Sequence, residues 1–377
     1  MDKKIAALVG NGTWDLVDLP RGKKLIGCKW VFKVKLKAND YEEAFSLAVK
    51  MNTIRCLIAL AACKGWDLFQ LDVNNAFLHG DLKEEVYMKV PEGFDNPGNK
   101  VCKLRKSIYG LKQASRQWFE KLVSSLIDMG FEQSKNDYSL FIKRRNGFIC
   151  VAAVYVDDII LTGNDTDDMT CLRSDLHNKF TIKYLGRLSY FLGIEVGYTS
   201  DGNLLSQKKF TKELTLNCGL PLKSRAVTPF PLGLKLQLGD PLPDAEQYRS
   251  LVGKLNFLTH TRHDLSFAVQ SLSQFMQQTY SSHLQAPIHT LSYVANTEGQ
   301  GILLRASDHI SLHAFFDLDW ASCVDSMRLV TEYVLLGKSI VAWKSKKQGL
   351  VSKSSAEVKY RAMAILASEV TWTVRLL

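Results

Sequence analysis

The alternation of apolar and polar positions lays out the chain before any motif is considered. From Asp67 to Phe77, the apolar Phe69, Leu71 and Val73 alternate with Gln70, Asp72 and Asn74. That period of two marks a half-buried strand with Asp72 on its polar face. Phe148 to Val156 is an apolar run of nine residues, followed by Asp157, Asp158 and a second run, Ile159-Ile-Leu. Two apolar strands around an acidic pair predict a hairpin with the acids at its tip. Between these segments Leu111, Trp118, Phe119, Leu122 and Leu126 recur at helical spacing, so residues 107–130 are predicted helical, with Gly130 as the stop.

The same reading extends along the chain. Residues 29–37 form a basic strand pattern joined abruptly, through Ala38-Asn-Asp, to Tyr41, and a helix is predicted over 50–63. A helix over 167–179 and paired strands at 191–196 and 203–206 complete a βαβ-rich α+β domain ending near residue 210. Pro221, Pro229, Pro231, Pro241 and Pro243 then mark a linker-like stretch. Helical segments follow over 248–278 and 283–294. A strand-rich piece begins at His313, and residues 355–377 are helical. No internal repeat or low-complexity tract is present.

Composition narrows the class. A hydrophobic content of 46% over 377 residues is that of a globular protein with room for two or three domains. The net charge of +10 is locally concentrated: residues 96–119 hold six basic and no acidic side chains, interleaved with Tyr109, Trp118 and Phe119. Such a stretch suits a polyanion, although a solvated basic face has the same composition. The eight cysteines are scattered without a CxxC, which reads as reduced thiols inside a cell, with no disulfide frame, no disulfide-linked partner and no zinc site. No apolar run reaches bilayer length, so no membrane role is expected.

Asp72 at a strand end and Asp157 and Asp158 at a hairpin tip are flanked by apolar residues that offer no local counter-charge. Carboxylates gathered in such surroundings need cations. Their hard oxygens suit magnesium, or manganese, and a two-metal phosphoryl-type chemistry. An isolated acidic pair in a hairpin is equally an ordinary turn; the apolar flanks and Asp72 are what favour the metal reading.

Three long blocks in order carry a resemblance: Gln70-Leu-Asp-Val-Asn-Asn-Ala-Phe-Leu-His-Gly, Tyr109-Gly-Leu-Lys-Gln-Ala-Ser-Arg-Gln-Trp-Phe and Tyr155-Val-Asp-Asp-Ile. They resemble successive blocks of the reverse transcriptases of copia-type LTR retrotransposon Pol polyproteins. The likeness continues through Phe191-Leu-Gly-Ile-Glu-Val, Tyr248-Arg-Ser-Leu-Val-Gly-Lys-Leu, Trp343-Lys-Ser-Lys-Lys-Gln and Ser354-Ser-Ala-Glu. It implies a right-hand α+β polymerase, with fingers and palm in residues 12–210 and thumb and connection in 211–310. A truncated ribonuclease H-like α/β piece would occupy 311–377.

By that resemblance Asp72 and Asp157 are the principal metal ligands and Asp158 the less direct one. Phe77 is the bulky gate against a ribose 2′-hydroxyl, although the residues alone read equally as a core phenylalanine, and Gln113 contacts the incoming nucleotide. Lys112 and Arg116 meet phosphate, while Phe191, Leu192 and Gly193 form the turn that grips a primer end. The implied partners are an RNA template, a DNA primer and deoxynucleoside triphosphates. The implied setting is intracellular, in cytoplasmic virus-like particles or in the nucleus.

The chain departs from the family pattern in several places, among them Leu291-Ser-Tyr-Val-Ala-Asn-Thr, which replaces a more basic helix end of the relatives. Its basic strand at 29–37 passes straight to Tyr41-Glu-Glu-Ala-Phe, where relatives carry a second basic fingers strand. Cations lost there would each remove about 1.5–3 kcal/mol of charge-assisted bonding to a triphosphate, so polymerisation is expected to be feeble or absent, leaving a nucleic-acid-binding remnant as the rival reading. Ser115 stands where relatives usually have proline. In the last piece Asp317 matches a first ribonuclease H carboxylate, but the family register puts the second at Lys359, with Glu357 two residues earlier. Ribonuclease H activity is therefore not expected.

Overall fold

The computed structural model describes residues 2–28, 49–94, 96, 98, 100–219, 222, 226–231, 240–319, 329–347 and 354–376. It divides into two compact units, one of residues 1–50 and 67–188, the other of 51–66 and 189–377. This is a division by packing, whereas fingers, palm and thumb are divisions by role.

The first unit is built on an antiparallel sheet in the order Ile182–Arg187, Leu68–Val73, Asp158–Gly163, Phe148–Tyr155, Leu140–Arg145, Glu132–Gln133. The strand and hairpin expected from apolar spacing are its centre. Helices Ala114–Asp128 and Thr166–Phe180 contribute Trp118, Leu122, Leu126, Leu172 and Leu176 to one core with Leu71, Val73, Val154 and Ile159. Each large apolar side chain so buried contributes roughly 1.5–3 kcal/mol. Because side chains alternate across a strand, Leu71 and Val73 in that core leave Asp72 on the opposite face.

The helix expected from residue 107 starts only at Ala114. Gly110, with φ 94°, adopts a left-handed conformation that a helix cannot contain, and the chain turns through Leu111 N–H to Ile108 carbonyl (3.3 Å) before the helix begins. Gly130 ends it as expected, with φ 84° and its N–H on the Ile127 carbonyl. Thr166–Phe180 begins one residue before the expected start, capped by the Asp165 carboxylate, which accepts from the Asp168 N–H at 2.8 Å. A second sheet joins Trp14–Val17, Val101–Lys106, Asp81–Met88 and Leu25–Ile26. The basic strand expected at 29–37 and its join to Tyr41 lie outside the described residues.

In the second unit, Met51–Lys64 is the helix expected over 50–63. Tyr190–Phe191, Ile194–Thr199, Gly202–Ser206 and Gly301–Arg305 form an antiparallel sheet. The helix expected over 248–278 is broken into Ala245–Leu258 and Ser266–Ser273. The break is held by Arg262, 2% exposed, whose guanidinium donates to Asp264 at 2.8 Å and to the Thr297 hydroxyl at 2.9 Å. A buried arginine so engaged fixes a local path that periodicity does not reveal. Leu312–Asp319, Leu329–Leu336 and Ser339–Lys347 form a three-stranded sheet, followed by helix Ser355–Leu376. Arg55 is buried in this unit, donating to the carbonyls of Val341 (2.7 Å) and His260 (3.0 Å) and lying 3.8 Å over the Trp343 ring. Among the described residues no helix is long and apolar enough to cross a membrane.

Candidate active site

The pairing of Leu68–Val73 with Asp158–Gly163 sets Asp72 directly opposite Asp158. Directly opposed residues in an antiparallel pair share a face, with Cβ atoms about 4.5–5.5 Å apart. Asp157 is tied to the same place through its backbone, since its carbonyl accepts from the Val73 N–H at 2.8 Å. Eighty-odd residues of sequence separation are closed by ladder hydrogen bonds, so the backbones of Asp72, Asp157 and Asp158 come together because their strands pair.

The turn that carries Asp157 is tight. Tyr155 pairs with Asp158, leaving Val156 and Asp157 as the connection, and Val156 has φ 56°. A β-branched residue in the left-handed region is a genuine outlier, costing on the order of 1–3 kcal/mol. The Val156 carbonyl accepts from the Trp118 indole N–H at 2.7 Å.

Around the acids the electrostatics differ from the sequence expectation. Lys183 pairs with Asp72 from the strand on its other side, so Asp72 does have a cationic neighbour on its face. No apolar-neighbour pattern near residue 72 could show a lysine from residue 183. Gln70 donates to the Asp158 carboxylate at 3.0 Å, which orients that side chain. Tyr109 keeps 58% of its surface open, yet desolvation and then the charges of Asp157 and Asp72 push its phenol up to about 12. The acids therefore act on one common neighbour. Among the described residues no three His, Cys, Asp or Glu side chains form a ready-made metal cage. The oxygen donor set still fits magnesium, which retains waters and substrate phosphates and takes only one or two carboxylates from a protein.

The remaining expected residues are distributed as follows. Phe77 is 8% exposed, in the short helical turn Ala76–His79 entered through left-handed Asn75, and meets the Tyr109 ring edge-on at 4.6 Å. The expected gate is thus covered, and Tyr109 is the more open ring. Gln113 lies just ahead of the helix and donates to Glu84 at 2.9 Å. Lys112 is exposed, and Arg116 pairs with Glu120 at 3.1 Å on an open surface. Phe191, Leu192 and Gly193 belong to the second unit. Leu192 and Gly193 have φ 50° and 79°, the paired positive values of a tight hairpin, and a Cβ on Gly193 would stand 2.7 Å from the Phe257 ring. Asp317 lies on the outer strand of its sheet opposite Thr331, Glu357 pairs with Arg361 at 2.6 Å, and Lys359 is exposed.

Sequence reasoning missed Gln70, Lys183 and Trp118 as neighbours of the site. Only Gln70 left a signal, two residues from Asp72 on the same strand face.

Residues 34–230 match the family described as reverse transcriptase (RNA-dependent DNA polymerase). The chain is 40% identical over 405 residues to the retrovirus-related Pol polyprotein from transposon RE2 of Arabidopsis thaliana, covering 100% of this chain and 28% of that relative. It is 34% identical over 414 residues to the corresponding polyprotein from transposon TNT 1-94 of Nicotiana tabacum, covering 100% of this chain and 31% of the relative. Both alignments run longer than the 377 residues of this chain, so the relatives carry positions for which it has no counterpart. Among solved structures, a foamy viral protease-reverse transcriptase in complex with dsDNA matches at 14% identity and TM-score 0.45, over 82% of this chain and 57% of that one. The chain spans less than a third of the curated polyproteins it matches, and it belongs to the reverse transcriptase family, in its copia-type retrotransposon Pol branch.

Proposed function

We propose that this chain is a template-directed DNA polymerase by descent, arranged as fingers, palm and thumb, in which Asp72 and Asp157 hold divalent metal and Asp158 supports them. The observation that carries the reading is the register of Asp72 against Asp158 with the Asp157 carbonyl bonded to Val73. Magnesium or manganese bound there would acidify a primer 3′-hydroxyl and offset charge on a leaving pyrophosphate. The residues of the chain do the rest. Gln70 and the paired strands hold the carboxylates in place, and the Phe77–Tyr109 pair stands where a nucleotide sugar would be tested. Lys112 and Arg116 offer positive charge to a template–primer backbone, and the Leu192–Gly193 turn is the proposed grip on a primer end. RNA template, DNA primer and deoxynucleoside triphosphates are the proposed partners, within cytoplasmic particles or the nucleus.

Polymerisation is expected to be weak. The reading takes basic residues to be lost near the 38–41 join, and Gln113 and Arg116 are engaged by Glu84 and Glu120. The same observations favour, as a second reading, a nucleic-acid-binding remnant without catalysis. Ribonuclease H action is not expected, given Lys359 at the family's second acid and Glu357 held by Arg361. Primer extension on a poly-rA template with magnesium decides between the two. Extension above an Asp157→Ala control supports the polymerase, whereas extension equal to that control leaves only binding.

A further inference from the structure

We propose that Trp118 is a positioning residue for the acidic turn: its indole N–H fixes the Val156 carbonyl and thereby the direction in which Asp157 presents its carboxylate. The inference rests on the reading of Asp72 and Asp157 as metal ligands and adds the element that holds them in register.

A two-residue connection with valine in the left-handed region does not persist unaided. It is over-determined here from two sides. The Val73 N–H holds the Asp157 carbonyl, and the Trp118 indole holds the Val156 carbonyl. Trp118 is itself buried, 1% exposed, with its ring edge-on to Phe180 at 5.1 Å and 5.8 Å from the His79 ring. Its backbone is also seated closely, because a Cβ on Gly80 would lie 2.8 Å from the Trp118 nitrogen. Only glycine lets helix Ala114–Asp128 come this near. The His79-Gly80 end of the first motif thus seats the tryptophan of the second, and that tryptophan sets the turn of the third. Three blocks far apart in sequence meet in one mechanical chain. Packing alone would need only a bulky ring at 118; the directed N–H is what a phenylalanine cannot supply.

The test is Trp118→Phe, which keeps an aromatic body and removes the donor, read by two measurements on the full chain. Hydrogen exchange of the peptide covering residues 150–163 reports the turn, and terbium luminescence titration reports the carboxylates with a hard cation standing in for magnesium. Exchange at Asp157 and Asp158 should rise and the terbium dissociation constant should increase about tenfold, the loss expected for one buried hydrogen bond. Adding Val156→Gly, which removes the steric demand for a hold, should restore both. Unchanged exchange in Trp118→Phe would overturn the proposal. So would a rise that Val156→Gly fails to reverse, because general loosening of the core would then explain it. Absence of terbium binding in the unmodified protein, with exchange still responding, would sink the metal-site reading and leave the hold of Trp118 on the turn supported.

Discussion

Asp72 and Asp317 both stand on β-strands, and only the first belongs to a candidate site. Asp72 lies on an inner strand, flanked by Asp158 on one side and Lys183 on the other, with Gln70 and Tyr109 completing the surroundings. Among the described residues Asp317 lies on an outer strand of the C-terminal sheet, in register with Thr331 of the one strand paired to it. The nearest matching acid in sequence, Glu357, is engaged by Arg361 in the first turn of its own helix. The difference is one of neighbours. An inner strand gathers side chains from both sides, so a second acid can be delivered by the ladder itself, whereas an outer strand gathers them from one.

The comparison breaks most sharply on metal binding. Asp157→Asn should weaken terbium or manganese binding by at least about a hundredfold, while Asp317→Asn should leave it unchanged; equal losses would erase the distinction between the regions. Next in size is acid sensitivity in the second unit. Burial, and then Arg55, lower the His260 pKa from 6.5 to about 4. The unfolded chain therefore binds the proton first, and stability present above pH 6.5 should fall by up to about 3 kcal/mol as pH drops toward 4. His260→Gln should flatten that dependence in thermal unfolding. A smaller effect sharpens the first region. Gly80→Ala should cost about 1–3 kcal/mol through overpacking against Trp118, seen as a lower denaturant midpoint. The smallest is spectroscopic. Adding magnesium, or replacing Asp72 with Asn, should move the Tyr109 phenol down from about 12 toward its ordinary 10, because less negative charge opposes the phenolate. Difference absorbance near the tyrosinate band measures it, and an unchanged phenol would mean that the acids do not act on Tyr109.

Much of the fold near the site was legible in the chain because it is local. The apolar run ending in Asp157-Asp158 forms the hairpin, and the spacing of Trp118, Leu122 and Leu126 forms the helix that packs on it. What failed was also local in cause. Gly110 delays the helix to Ala114, and the Arg262 clasp splits the segment after Leu258, since a conformational exception outweighs an average period.

By itself the sequence determined the acids, their strands, the turn between them and the family that owns the motifs, because each is written in residues close to one another. Tertiary structure alone decided that Lys183 stands across from Asp72, that Phe77 is covered by Tyr109, and that a tryptophan N–H reaches the turn. Those relations join residues separated by tens of positions, and no periodicity encodes which side chain a strand or helix will meet once the chain has closed on itself.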